Sequence, residues 1–123
     1  MDKGKRVLAV DDDEDYREGL TYLLDDLGYS VTAAADGREA LQALKEDPRP
    51  DVILVDLRMP GMNGEEFLEE QARDADLASI PFVVVSGARD VEEKARALGA
   101  AGALAKPFGL RSLLDSIDKA TES

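Results

Sequence analysis

The chain has 123 residues, of which 44% are hydrophobic, and 15 Lys and Arg against 27 Asp and Glu give a formal net charge of −12. That length suits one domain with one core. The absence of Cys and His excludes disulfides, zinc sites built on thiolate or imidazole, and every Ser-His or Cys-His nucleophile arrangement. The acidic excess opposes direct contact with nucleic acid, whose phosphates are gripped by clustered Lys and Arg. No apolar run approaches the ~20 residues of a membrane-spanning helix, so the expectation is a cytoplasmic chain without membrane insertion.

Residues 7–10 (VLAV) read as a short strand buried on both faces and run into Asp11-Asp12-Asp13. Leu20, Leu23, Leu24 and Leu27 then follow at the i, i+3, i+4, i+7 spacing of an amphipathic helix. Residues 31–35 (VTAAA) give a second buried strand, and Asp36-Gly37 opens a helix carrying Ala40, Leu41 and Leu44. After the turn residues Asp47-Pro48-Arg49-Pro50 comes VILV at 52–55, which ends on Asp56. Pro60-Gly61 and Asn63-Gly64 lead to a helix with Phe67 and Leu68, and FVVV at 82–85 ends on Ser86. A helix with Val91, Ala95 and Leu98 stops at Gly99. The weaker strand 103–105 (ALA) meets Lys106-Pro107, and Leu110, Leu113, Leu114 and Ile117 repeat the helical spacing. This βα unit, repeated five times, implies an α/β fold: a doubly wound parallel sheet with helices on both faces, because crossover connections are right-handed.

In such a sheet the binding crevice lies beyond the carboxyl ends of the strands, where Asp11, Asp12 and Asp13, Asp56, Ser86 and Lys106 fall. Each alone has an ordinary reading. Asp13 or Asp15 can cap a helix, Asp56 can be a loop acid, Ser86 a turn residue and Lys106 a solvated lysine. Their agreement at four strand ends is what points to a site. Two carboxylates about 4 Å apart repel by roughly 4 kcal/mol at an effective dielectric of 20, more than the about 0.3–1 kcal/mol a helix N-terminus offsets. Converging acids therefore need a cation, and oxygen-only donors suit Mg²⁺ ahead of Ca²⁺ or Zn²⁺. A carboxylate beside Mg²⁺ can take a phosphoryl group as an aspartyl phosphate. Mg²⁺, the Lys106 ammonium and the Ser86 hydroxyl are the groups available to stabilise the added charge.

Taken together, VLAVDDD, DVILVDLRMPGMNG, PFVVVSG and GAAGALAKPF resemble the receiver domain of two-component response regulators over essentially the whole chain. The resemblance implies a flavodoxin-like sheet of order 2-1-3-4-5 with two helices on one face and three on the other. It also implies one receiver spanning 1–123 with no output domain, either stand-alone or isolated from a longer regulator. By position, Asp56 is the expected phosphoacceptor, Asp12 a direct Mg²⁺ ligand, and Asp11 a second acid acting largely through water. The backbone carbonyl of Arg58 completes the protein ligands. Ser86 and Lys106 are expected to contact the phosphoryl group, and the Lys106-Pro107 bond to be cis. Asp13 lies outside the acidic pair and is expected to be a cap or surface acid.

The implied donor is a histidine kinase or histidine phosphotransfer protein, docking where Asp13, Glu14, Arg17 and Pro107-Phe108 meet, with Phe108 either an exposed apolar anchor or tucked under the last helix. The output partner is unknown. The chain would catalyse its own phosphoryl transfer and dephosphorylation without turning over a small substrate. One departure stands out: Ala103 occupies the position of the usual switch aromatic, which leaves a phosphate-independent, receiver-like adaptor as the alternative. With that aromatic missing, movement of Ser86 is expected to couple through Gly87-Ala88 and the following helix. A small-molecule phosphatase would carry an acid where Arg58 stands, and a nucleotide-binding turn would carry G-x-G-x-x-G in place of three acids.

Arg58 and Ala88 hold positions that tune phosphoryl lifetime in the family. Arg58→Ala is expected to change the decay of the phosphorylated chain, followed by intact mass, more than it changes the urea unfolding midpoint; equal lifetimes would reject this role.

Overall fold

A computed structural model describes residues 4–46, 48–58, 61–87 and 89–122. Asp47 and Pro60, read above as turn residues, and Ala88, assigned to lifetime control, lie outside them. Five strands alternate with five helices: β1 (Arg6–Val10), α1 (Glu14–Asp26), β2 (Ser30–Ala34), α2 (Gly37–Leu44), β3 (Val52–Asp56), α3 (Gly64–Arg73), β4 (Phe82–Ser86), α4 (Val91–Leu98), β5 (Gly102–Ala105) and α5 (Leu110–Ala120). The strands form one parallel sheet of order β2-β1-β3-β4-β5.

Side chains alternate across this sheet with the period of two that a pleated strand imposes. Leu8, Val10, Ile53, Val55 and Val84 join Ala40, Leu44, Phe67, Leu68, Val91 and Ala95 from α2, α3 and α4 in one cluster. Val7, Leu54, Val83, Val85 and Leu104 join Leu24, Leu113 and Ile117 from α1 and α5 in the other. Three helices thus cover one face and two the other.

The edges depart from the expected double burial. In β2, Thr32 and Ala33 are exposed and only Ala34 is fully buried, because β2 pairs with β1 alone. On α1, Leu24 is buried and Leu20 packs beside it, whereas Leu23 and Leu27 remain 36% and 39% exposed. The inward line of that helix is the i, i+4 pair, and the other two leucines face outward. Leu110, at the start of α5, is likewise exposed, while Leu113 and Ile117 are buried.

Short polar residues start the helices. Asp13 accepts the Tyr16 N–H at 3.2 Å, Asp36 accepts the Glu39 N–H at 2.9 Å, and Asn63 and Glu66 form a reciprocal capping box at 2.9 and 3.1 Å. Gly99 ends α4 in the left-handed region at φ 78°.

At the start of α3, Gly64 lies against the end of β3: a Cβ there would sit 2.5 Å from the Asp56 carbonyl oxygen and 2.7 Å from Leu57 Cα. Both neighbours are backbone and neither can swing aside. Gly64→Ala is expected to cost about 1–3 kcal/mol, the scale of overpacking a tight contact, as a lower urea midpoint; an unchanged midpoint would show that the contact relaxes freely.

Candidate functional site

Strand register assembles the site. Val10 pairs with Val55, so Asp11 and Asp56 leave adjacent strands at the same level. Asp56 pairs with Val85 and Ser86 with Ala105, which places Ser86 and Lys106 just beyond. Asp11, Asp56 and Ser86 are buried at 4%, 7% and 2% exposure, while Asp12 is exposed. Asp11, Asp12 and Asp56 each offer a carboxylate oxygen, and these lie within 4.8 Å of one another.

Lys106 closes the group from the far side of the sheet. Its Nζ donates to Asp11 Oδ2 at 2.8 Å and to Asp56 Oδ2 at 2.9 Å, and its backbone N–H donates to the Ser86 carbonyl at 2.9 Å. The other carboxylate oxygens are held by backbone: Asp11 Oδ1 accepts the Asp13 N–H and Asp56 Oδ1 accepts the Arg58 N–H, both at 2.9 Å. The Arg17 guanidinium donates to the Asp11 carbonyl at 2.8 Å. The Lys106-Pro107 bond is cis.

Burial pushes the Asp56 carboxyl above its ordinary range, although the Arg58 N–H and the Lys106 ammonium both pull it down. Burial alone would lower Lys106, but its hydrogen bonds to Asp11 and Asp56 outweigh that and hold the ammonium above its usual value. The two partners thus shift the same way for different reasons. Asp56 lies deeper and loses more water than one shared lysine restores, whereas Lys106 is only partly buried and gains two acids.

The remaining residues fall as follows. Asp13 is the cap of α1 and lies outside the acid cluster. Arg58 is exposed. Ala103 is partly buried and packs against the cluster on the α2, α3 and α4 face. Of the two expectations for Phe108 the second holds: it is partly buried on the α1 and α5 face, with its ring 6.2 Å from that of Tyr16 in a T-shaped arrangement. It has an apolar wall to cover.

Tyr16 escaped the sequence reading. Its ring centroid lies 4.4 Å from Lys106 Nζ, and its hydroxyl is buried without a hydrogen-bond partner among the described residues. Burial pushes its phenol up to about 12, partly opposed by Lys106. The signal was present: Tyr16 is three residues after the cap Asp13, so it belongs to the first turn of the helix that leaves the site.

The sequence model described as "Response regulator receiver domain" matches residues 7–118. This chain belongs to that family. It is 40% identical over 111 residues to the response regulator MprA of Mycolicibacterium vanbaalenii, covering 89% of this chain and 47% of that protein. It is also 31% identical over 128 residues to the probable transcriptional regulator ycf27 of Porphyridium aerugineum, covering 97% and 52%. The receiver chain therefore spans about half the length of these curated relatives. Among solved structures, the chemotaxis response regulator CheY4 of Vibrio cholerae superposes with a TM-score of 0.85 at 37% identity, covering 96% of this chain and 99% of that one. A putative response regulator of Chloroflexus aurantiacus gives a TM-score of 0.87 at 29% identity, covering 97% and 98%. Among the described residues, no helix of this receiver is long and apolar enough to cross a membrane.

The raised Asp56 value has a consequence for stability. The folded state holds the Asp56 proton more tightly than the unfolded chain does, so ionisation works against the fold. The penalty sets in as pH rises from the ordinary carboxylate range through the raised folded value and is complete above it. Asp56→Asn keeps an acceptor for Lys106 and removes the charge. It is expected to raise stability at pH 7 by about 1 kcal/mol, the scale of an ordinary substitution. The gain should shrink below the ordinary carboxylate range, measured by urea unfolding at both pH values; a pH-independent difference would contradict the assignment.

Proposed function

We propose that this receiver accepts a phosphoryl group on Asp56 from a histidine kinase or histidine phosphotransfer protein in the cytoplasm and passes the change to an output partner. The observation that carries the reading is the position of the Lys106 ammonium, in hydrogen-bond contact with both buried carboxylates at the strand ends. A structural salt bridge needs one acid. Two acids around one lysine, with a third within ligand distance, leave excess negative charge that favours a cation and a chemical role for one carboxylate.

Three carboxylates without sulfur or nitrogen donors fit a hard divalent ion. Asp12, Asp56 and the Arg58 carbonyl would hold Mg²⁺, with Asp11 reached through water, and the ion would supply charge neutralisation to the incoming phosphoryl group. A structure of the similar TrrA protein from Thermotoga maritima, 26% identical with a TM-score of 0.81, was solved in complex with Mg(2+)-BeF, which supports this cofactor assignment. An Asp56 oxygen forms the new P–O bond as the P–N bond to the donor histidine breaks, and the imidazole nitrogen leaves with the electron pair and is reprotonated. Lys106 then turns from the carboxylates to a phosphoryl oxygen, joined by the Ser86 hydroxyl. Asp56, Lys106 and Ser86 act on the chain's own phosphoryl group, and no small-molecule substrate is turned over.

Ala103 supports one competing reading, a receiver-like adaptor that works without phosphate. It leaves no aromatic side chain in β5 to follow the Ser86 hydroxyl. In the phosphate-dependent reading the change instead travels along α4, which follows Ser86 in the chain and packs on β5. Incubation with Mg²⁺ and acetyl phosphate is expected to add one phosphoryl group by intact mass, and to add none in Asp56→Ala or without metal. Folded wild-type protein that gains no mass from acetyl phosphate or from a phosphorylated histidine donor would favour the adaptor.

A further inference from the structure

The geometry points to Tyr16 as a positioning residue for Lys106, its ring face holding the ammonium over the acidic cluster while the lysine changes partners. This deepens the proposed function and rests on it. A lysine carries a compact charge on a flexible four-carbon stem, so hydrogen bonds to two carboxylates do not by themselves keep it in place once one carboxylate is phosphorylated and another binds metal. The Tyr16 ring lies 4.4 Å from Nζ, well inside the about 6 Å over which a ring face attracts a cation. Unlike Asp11 and Asp56, that face does not change charge or bonding during phosphoryl transfer. It is the constant neighbour of a lysine whose other contacts are exchanged.

The ring is itself fixed. Its backbone N–H is bound by the α1 cap, Asp13 Oδ1, at 3.2 Å, and Asp13 N–H is bound by Asp11 Oδ1 at 2.9 Å. The Phe108 ring packs against it in a T-shaped arrangement, at 89° and 6.2 Å between centroids. Lys106 and Phe108 are two residues apart, so one short segment meets the ring with a cation and a second aromatic ring. The hydroxyl makes no hydrogen bond among the described residues, which leaves the ring as the working part of the side chain.

Three proteins test this: wild type, Tyr16→Phe, which keeps the ring, and Tyr16→Leu, which removes it. The readouts are the rate of phosphorylation by acetyl phosphate with Mg²⁺ and the proton resonances of the Lys106 ε-methylene, which a ring face shifts upfield. Wild type and Tyr16→Phe are expected to share the upfield shift and to react within about twofold of each other, and Tyr16→Leu to lose the shift and react about three- to tenfold more slowly. If Tyr16→Leu does not fold, Tyr16→Met takes its place with the same expectation, its unbranched chain filling the gap. A Lys106 signal with no upfield shift in wild type, or a ring-less variant that reacts as fast as wild type, would overturn the assignment. Wild type that takes up no phosphoryl group removes the proposed function instead, and the Lys106 shift then decides whether Tyr16 positions the lysine.

Discussion

The ammonium of Lys106 between Asp11 and Asp56 is the contact on which the site depends. Without it, two buried carboxylates would face each other across adjacent strands with no cation between them, at a repulsion of several kcal/mol. With it, the acid that follows β1, the acid that ends β3 and the base that follows β5 are tied together across the carboxyl edge of the sheet. Burial still keeps Asp56 above its ordinary range. The site therefore carries a desolvation cost that the rest of the fold supports.

That support comes from the two apolar clusters. Alternating side chains of β1, β3 and β4 are buried on both faces, which fixes register, and register alone decides that Asp11 and Asp56 emerge at one level. A one-residue slip would turn each strand's apolar side chains to the opposite face and separate the acids. The glycine at the start of α3 adds a second constraint, since its missing side chain lets the helix close directly on the Asp56 backbone. Precision at the acid thus comes from strand packing on both faces of the sheet and from the close approach of α3 to the Asp56 backbone.

Much of this was legible in the sequence because the relevant signals are local. VLAV, VILV and FVVV read as strands buried on both faces, and the residues ending them named Asp11, Asp56 and Ser86 before any geometry was known. What stayed hidden depends on who sits beside whom. VTAAA reads like any apolar strand; the order implied by the resemblance put it at an edge, but its composition did not show that Thr32 and Ala33 face solvent. Leu23 and Leu27 share the periodic spacing of Leu20 and Leu24, yet the helix turns them outward. Tyr16 and Phe108 are 92 residues apart in sequence, and nothing local announces that their rings meet.

The backbone N–H groups of Asp13 and Arg58, each bonded to the carboxylate two residues earlier, make the site selective for side-chain length as well as charge. Each bond closes a small ring of one side chain and two peptide units, which forms with the single methylene of aspartate. Glutamate carries the same charge but reaches one carbon further, so it must either give up the ring or push its second oxygen past Lys106. Glutamate at position 56 is therefore a poor stand-in for either state of the aspartate: it lacks the anchored geometry of the free acid and the reach of an acyl phosphate. If Asp56 takes a phosphoryl group as proposed, imitating that form calls for a ligand that adds to Asp56, leaving the aspartate in place.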